Sequence, residues 1–566
     1  MSGPASIVSW LRRQMTDRKF QRSVVWLLVY ICLCLFIFRE SLSSPFTTVP
    51  TGPTYAATVP LLNMWTIWWN CEQLRQSFPG YWDAPIFFPE RGTFAFSEPQ
   101  PILMLFAPVY WLTGSLAFTY KVWLILGLSL NGLLSYLFLR SLKVESFLAG
   151  TGGIMIVMLP AIFRELDAVQ ITHIWPVIWT LLAYRQLLQY PSLCRGIQSG
   201  FAFGACFLVS VHQGFLFTMI IGIAGIIPLC FQRRQKVWKS AAIGVLVATA
   251  MIAPLANSMR GRLEKQSFVR SESTVARNSA APQDYLRRPT RVMEEEHPKR
   301  GRSLSVGVTK YCLAIVAMAG ILRLRKRPWI LVLFALATTS FAFSLGPNLS
   351  VCGIQPWSVM YDALPWVQKI RSPIRFAIMA QMSIVFLAVI GLHEICIIFG
   401  RGSGREVRRL AMFFCAAVAT LESLPPSIPI VRVGDDRVPI KWAGALEQLS
   451  RPGDGVLCLP MTSGPSVRSL EVEARWMLVG TQHHCHLVNG YSGFFPAQYV
   501  SFAAEVADRG LTQKSLDQLR GYGVQWIAVE RSWKWRPNLL TLIGNPKPVY
   551  TGDGDVDLFR IGLPTL

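Results

Sequence analysis

Long apolar runs alternate along this chain with short clusters rich in Lys, Arg and Pro. After a first run from Val24 to Phe38, apolar segments lie near 118–140, 146–162, 174–191, 198–211, 213–231, 237–256, 305–322, 328–345, 374–397 and 408–424. Crossing a hydrocarbon core of about 30 Å takes about 20 apolar residues, so the pattern predicts about eleven transmembrane helices. Residues 198–231 are read as a hairpin of two spans. One helix there would be roughly 50 Å long, and His212-Gln213-Gly214 would place polar groups at its midpoint. The pattern changes at Pro425. After SLPPSIPIVRVGDDRVP, β-like runs (GVLCLP, VQWIAVE) alternate with amphipathic helical ones (SLEVEARWMLVG, TQKSLDQLRGYG), which predicts a small soluble α/β domain. The expected organisation is a polytopic α-helical membrane domain over 1–424, with outer loops at 39–117, carrying interfacial helices, and at 258–304, followed by an α/β domain over 425–566.

Composition agrees with this class. The 566 residues are 52% hydrophobic and 15% charged, with a mean hydropathy of +0.37, far from the balance of a soluble protein. The formal charge of +23 is carried by clusters beside apolar runs. That distribution argues for topology signals and against nucleic-acid binding. With the N-terminus inside, the short turns holding Arg140/Lys143, Arg185/Arg195, Arg233/Arg234/Lys236, Arg323/Arg325/Lys326/Arg327 and Arg401/Arg405/Arg408/Arg409 also fall inside. The expected location is the inner (cytoplasmic) membrane, multi-pass, with the C-terminal domain extracytoplasmic. The run from Val24 is followed by Arg39-Glu40 without a small-residue cleavage site, so it is read as an uncleaved first span. The segment Met259–Ser303 runs against the positive-inside rule, with eleven Lys or Arg against six Asp or Glu. It is expected to suit anionic headgroups better than a core of its own.

Candidate chemistry gathers in the first long loop. LLNMWTIWWNCEQL, with Trp65, Trp68 and Trp69, predicts a helix lying at the membrane interface. WDAPIFFPERGTFAFSEPQP follows at 82–101, so Glu72, Asp83, Glu90 and Glu98 stand near lipid headgroups. Glu98 would be a general base or would cap a helix starting near Pro99. Asp83, before Ala-Pro, would be a base or would organise a turn. Arg371 and Arg375 flank Pro373; on a helix their i, i+4 spacing would form a phosphate clamp. They would otherwise snorkel to headgroups or pair with Asp362. Arg164, Glu165, Asp167 and His173 form another polar group, suited to interhelical pairing or substrate contact. HHCH at 483–486 offers metal-ligand types, but adjacent side chains rarely converge on one ion, and GDGDVD at 552–557 is too short for an EF-hand. The sequence specifies no cofactor and leaves a divalent metal open. The 12 cysteines are scattered singly, without a CxxC pair, and no P-loop, dinucleotide fingerprint or nucleophile elbow is present.

The order of first span, long loop, the 82–101 stretch and a span starting near Phe118 resembles the GT-C superfamily of integral-membrane glycosyltransferases. QITHIWPVIW at 170–179, KIRSPIRFAIMAQ at 369–381 and VNGYSGFFP in the tail add to the likeness. The resemblance implies transfer of a sugar from a polyprenyl-phosphate-linked donor to an envelope glycan, lipid or protein acceptor on the outer face, as a hexosyl- or pentosyltransferase. It also implies an outer-loop carboxylate as base. Glu98 and Asp83 are the catalytic candidates, and Arg371, Arg375, Glu72 and His173 the substrate- and phosphate-binding ones. Similar sequences commonly carry an Asp just before the Pro-Leu-Leu-Asn where this chain has Val59. That departure keeps a catalytically inactive, glycolipid-binding GT-C-like protein as the alternative. A transporter is a third class, disfavoured by few ionisable residues within spans and no clear internal repeat. The partners implied are the lipid-linked donor and membrane lipids.

Overall fold

In a membrane every backbone polar group must be satisfied within the segment, so each long apolar run has to be helical. A computed structural model, describing residues 18–230, 234–265, 268–289, 302–319, 328–399, 405–425, 427–464, 466–551 and 555–561, shows that result. Among the described residues, seven helices are long and apolar enough to cross a membrane: Arg18–Ile37, Leu116–Ser141, Ser146–Arg164, Val211–Cys230, Gln235–Lys265, Pro328–Asn348 and Pro373–Ile398. Shorter apolar helices stand at Leu193–Val209, Val308–Ala319 and Leu410–Leu421, and a further helix at Trp175–Gln189. A helix therefore occupies each apolar segment read from the sequence. The basic turns at 231–233, 320–327 and 400–404 lie outside the described residues, as do Arg12 and Arg13.

The hairpin turns at Ser210, two residues before His212. Ser210 has extended backbone (φ −155°, ψ 116°), and its hydroxyl accepts from Gln213 N to cap the second helix. Rings pair in reversed order across the turn, Phe207 with Phe215 at 5.6 Å and Phe203 with Phe217 at 6.0 Å. The two helices are thus antiparallel.

The chain divides into two compact units. The first holds residues 1–42, 124–253 and 269–429. Close helix approach there depends on small residues: a Cβ on Gly132 would lie 2.7 Å from the Tyr30 ring, and Tyr30 Oη donates to Gly150 O at 3.0 Å. Most of the described part of the 258–304 loop also belongs to this unit, and it is folded. Ala280, Tyr285 and Leu304 share a buried cluster with Leu345, Ile374, Ala377 and Ala380. Asp284 accepts from Ala281 N at 2.8 Å and Arg302 N at 3.2 Å. The described loop residues thus pack onto the helix ends at Leu345 and Ile374–Ala380 and do not form a core of their own.

The second unit joins residues 43–123, 254–268 and 430–566. Its strands are β1 (Thr48–Pro50), β2 (Ile430–Arg432), β3 (Gly455–Leu459), β4 (His486–Leu487), β5 (Val524–Glu530), β6 (Tyr550–Thr551) and β7 (Val556–Arg560). β1 pairs antiparallel with β2, and the other five form one mixed sheet in the order β4-β3-β5-β7-β6. β3 is buried along its whole length, as expected for a central strand covered on both faces.

Candidate functional site

The 82–101 stretch is built onto the edge of this sheet. Leu487 N donates to Pro85 O (3.1 Å), Phe88 N to Leu487 O (2.8 Å) and Phe87 N to Asn489 O (3.2 Å). The segment thereby occupies a sheet edge that would otherwise expose unpaired backbone groups. Phe87 packs edge-on against Tyr499 at 4.7 Å and over Gly490, where a Cβ would come within 2.6 Å of the ring. Phe494 N donates to Phe96 O at 2.9 Å. The first loop and the VNGYSGFFP motif are thus two halves of one structure.

Asp83 organises a turn here. Its Oδ1 accepts from Gly92 N at 2.7 Å, and Gly92 takes a left-handed conformation at φ +71°. The Arg262 side chain runs through the space beside Gly92, 2.6 Å from where a Cβ would stand, and lays its guanidinium 5.3 Å from the Trp82 ring centroid. Glu98 is half-buried. The following helix is a 3-10 turn that starts at Pro101, not Pro99, with Gln100 at its N-cap position and no side-chain cap bond from Gln100. Glu72 accepts from Gln76 Nε2 at 2.6 Å within the helix Thr58–Gln76.

That helix corrects a second expectation. Trp65, Trp68 and Trp69 are 2%, 4% and 8% exposed, packed on each other, on Phe94 and on His484. They are enclosed by protein and are not presented to lipid. The helix start is also held from the tail, since Ala57 N donates to Glu471 Oε2 (3.1 Å) and Thr58 Oγ1 to Val467 O (2.7 Å).

The HHCH run serves separate neighbours. His483 faces Trp442 and accepts from Cys485 N through Nδ1 at 3.1 Å, His484 stacks on Trp68, and His486 lies against Phe88. Among the described residues no three His, Cys, Asp or Glu side chains gather in a metal-ligand arrangement. Asp557 is held by Arg531 at 3.0 Å and Arg536 at 2.5 Å; residues 552–554 of the same run lie outside the described residues.

The first unit carries the other candidates. Arg371 is exposed and outside any helix: Ser372 has φ −132° and ψ 79°, and a 3-10 turn begins only at Pro373. The shared helical face assumed for Arg371 and Arg375 therefore does not exist, because Pro373 cannot continue a helix through that point. Arg375 pairs with Glu165, not Asp362. Its Nε donates to Glu165 Oε2 at 2.8 Å, and Arg164 Nη1 contacts Glu165 Oε1. Burial alone would raise the Glu165 pKa, but Arg375 and Arg164 outweigh it and hold the carboxylate below its ordinary range. The Nη groups of Arg375 make no hydrogen bond among the described residues. His173 is fully buried, its ring lying where a Cβ on Gly127 would fall. Desolvation pushes its pKa down to about 3, so the imidazole is neutral.

Sequence reasoning missed Glu473. It is fully buried in the second unit and accepts from Thr462 N (2.7 Å), Asn489 Nδ2 (3.0 Å) and Tyr499 Oη (3.0 Å). Desolvation drives its pKa up to about 7, against the lowering effect of those donors. A signal was available: Glu473 shares the buried face of its helix with Ala474, Trp476, Met477 and Gly480, so the apolar stripe placed a carboxylate in the core.

No family model and no curated protein matches the sequence. Among solved structures, the chain is similar to the arabinofuranosyltransferase AftD from mycobacteria, determined by single-particle cryo-electron microscopy. The TM-score is 0.54 at 13% sequence identity, and the match covers 95% of this chain. It takes in only 41% of the arabinofuranosyltransferase chain, so this protein spans well under half of that one's length. At this identity the likeness shows a shared fold.

Proposed function

We propose, with a GT-C-like membrane glycosyltransferase fold as the premise, that this protein transfers a sugar from a polyprenyl-phosphate-linked donor to an envelope glycan, lipid or protein acceptor. In this reading the chain has eleven spans in the inner membrane, the membrane domain runs over 1–424, and the domain over 425–566 lies on the outer face with the first loop. The observation that carries it is Arg375. Buried Glu165 clamps its Nε edge, which sets the plane of the guanidinium and leaves both Nη groups to grip a phosphate bidentately. Exposed Arg371 supplies a second positive charge, and neutral His173 and Glu72 complete the proposed binding set.

The chemistry requires a base for the acceptor hydroxyl and a cation for the departing lipid phosphate. Glu98 and Asp83 are the proposed bases. Asp83 also holds the Gly92 turn through Oδ1. Purified protein in lipid nanodiscs, given polyprenyl-phosphate sugar and a glycan acceptor, tests the assignment. Glu98→Gln is expected to keep donor binding and to lower transfer by roughly 100-fold or more. Arg375→Lys keeps the charge against Glu165 but loses the planar fork, so donor affinity is expected to fall at least about tenfold. Full transfer in both Glu98→Gln and Asp83→Asn would overturn the catalytic assignment.

A further inference from the structure

The helix Thr58–Gln76 ends on two left-handed residues that are not glycine. Its C-cap Ser77 has φ 64° and ψ 34°, at a position where glycine is the common choice. Phe78 follows at φ 68°. A bulky side chain rarely adopts that backbone, because its Cβ crowds the neighbouring carbonyl. Phe78 is nevertheless held there, its N–H donating to Gln73 O at 2.9 Å, and its ring is 46% exposed. A left-handed Phe with an exposed ring costs stability twice, and strain of this kind persists at sites that use it.

The ring heads a row of three. Phe78 meets Tyr81 edge-on at 6.1 Å, and Tyr81 meets Trp82 edge-on at 5.2 Å. The row is fixed from below: Tyr81 Oη donates to Asn70 Oδ1 at 2.9 Å, Trp69 Nε1 to Tyr81 O at 3.0 Å, and Asp83 N to Gly80 O at 2.7 Å. The turn itself stands clear, since a Cβ on Gly80 would have nothing within 4 Å. Beside the rings, exposed Asp83 commits Oδ1 to Gly92 N, and its Oδ2 makes no hydrogen bond among the described residues. The Arg262 guanidinium lies against Trp82 at the same rim.

Rings bordered by a carboxylate and a guanidinium match one ligand chemistry. A sugar unit has C–H patches on its faces and hydroxyls around its edge, so it packs on an aromatic face while donating to a carboxylate at the rim. An acyl chain would strand the Asp83 carboxylate in hydrocarbon, and a phosphate would be repelled by it. We infer that Phe78, Tyr81, Trp82 and Asp83 form a carbohydrate-binding platform for an uncharged sugar unit of the acceptor glycan, with Asp83 Oδ2 accepting from a sugar hydroxyl. The role of that glycan as acceptor rests on the glycosyltransferase reading; its binding at these rings does not.

Binding is therefore measured without donor. Full-length protein in nanodiscs is applied to an array of uncharged hexose and pentose oligosaccharides, and the strongest ligand is titrated by calorimetry. Phe78→Ala and Asp83→Asn are each expected to weaken binding about tenfold, and Phe78→Tyr, which keeps the ring, to preserve it. Phe78→Gly removes ring and backbone strain together, so it should lose binding while the melting temperature holds or rises. No binding to the array, equal affinity in wild type and Phe78→Ala, or a lower melting temperature in Phe78→Gly would overturn the inference. So would labelling of Phe78 by a phospholipid with an acyl-chain diazirine as strong as at Phe36, 64% exposed on the helix Arg18–Ile37, since the face would then belong to lipid. Glycan binding that needs Phe78, without any transfer, would keep the platform and overturn the transferase reading instead.

Discussion

Glu473 ties strand, helix and loop together in the second unit, and its ionisation yields a stability change that can be worked out. The fully buried carboxyl titrates near 7 instead of its ordinary 4.5. In the folded protein it therefore keeps its proton over a range in which the unfolded chain has lost it. The folded state binds more protons there, so stability falls as pH rises from about 4.5 to about 7 and is level outside that window. At about 1.4 kcal/mol per pH unit, the loss across the window is about 3 kcal/mol. Thr462 N bonds directly to Glu473, and Asn489 links Glu473 to both backbone groups of Cys458. Amide hydrogen exchange at Thr462 and Cys458, corrected for the intrinsic rate, reads the local opening free energy. Between pH 5 and pH 8 protection in the wild type is expected to fall by roughly 100-fold. In Glu473→Gln, which cannot ionise, it should stay level. Equal slopes in the two proteins, or a level wild type, would refute the assignment of the effect to this carboxyl.

Two further predictions test the supports of the proposed site. Glu165→Gln removes the buried carboxylate that half-buried Arg375 bonds to, and should destabilise the first unit by roughly 1.5–3 kcal/mol in thermal denaturation, with Glu165→Asp milder. Gly92→Ala forces a left-handed conformation on an L-residue and drives a Cβ into Arg262; a loss of about 2 kcal/mol and faster exchange over residues 82–96 are expected, with the helix Pro373–Ile398 unaffected.

Much of the local structure is legible in the sequence because its cause is local. A run of some twenty apolar residues becomes a helix wherever it lies, and the polar interruption near His212 marked a reversal that occurs at Ser210. The site was legible only in part. Asp83 before Ala-Pro announced a turn, and Asp83 makes one. Trp65, Trp68 and Trp69 were read as interfacial and are buried, since large amphipathic rings suit a lipid interface and a protein core equally. Arg371 and Arg375 were read through a helical spacing that Pro373 breaks.

By itself, then, the sequence determined that this is a polytopic membrane protein, where its helices lie, and that the tail after Pro425 changes character. Each follows from hydropathy and backbone propensity within a window of some twenty residues. Only the tertiary structure decided that the first loop and the tail fold as one unit. The bonds that join them run between backbone groups at 85–88 and 487–489, and a backbone amide carries no sequence label naming its partner. It likewise decided that Glu165 orients Arg375 across 210 positions of chain. Such a pair depends on where two helix ends meet, and that meeting is set by close packing at glycines such as Gly132, which a single sequence shows only as small residues in an apolar run.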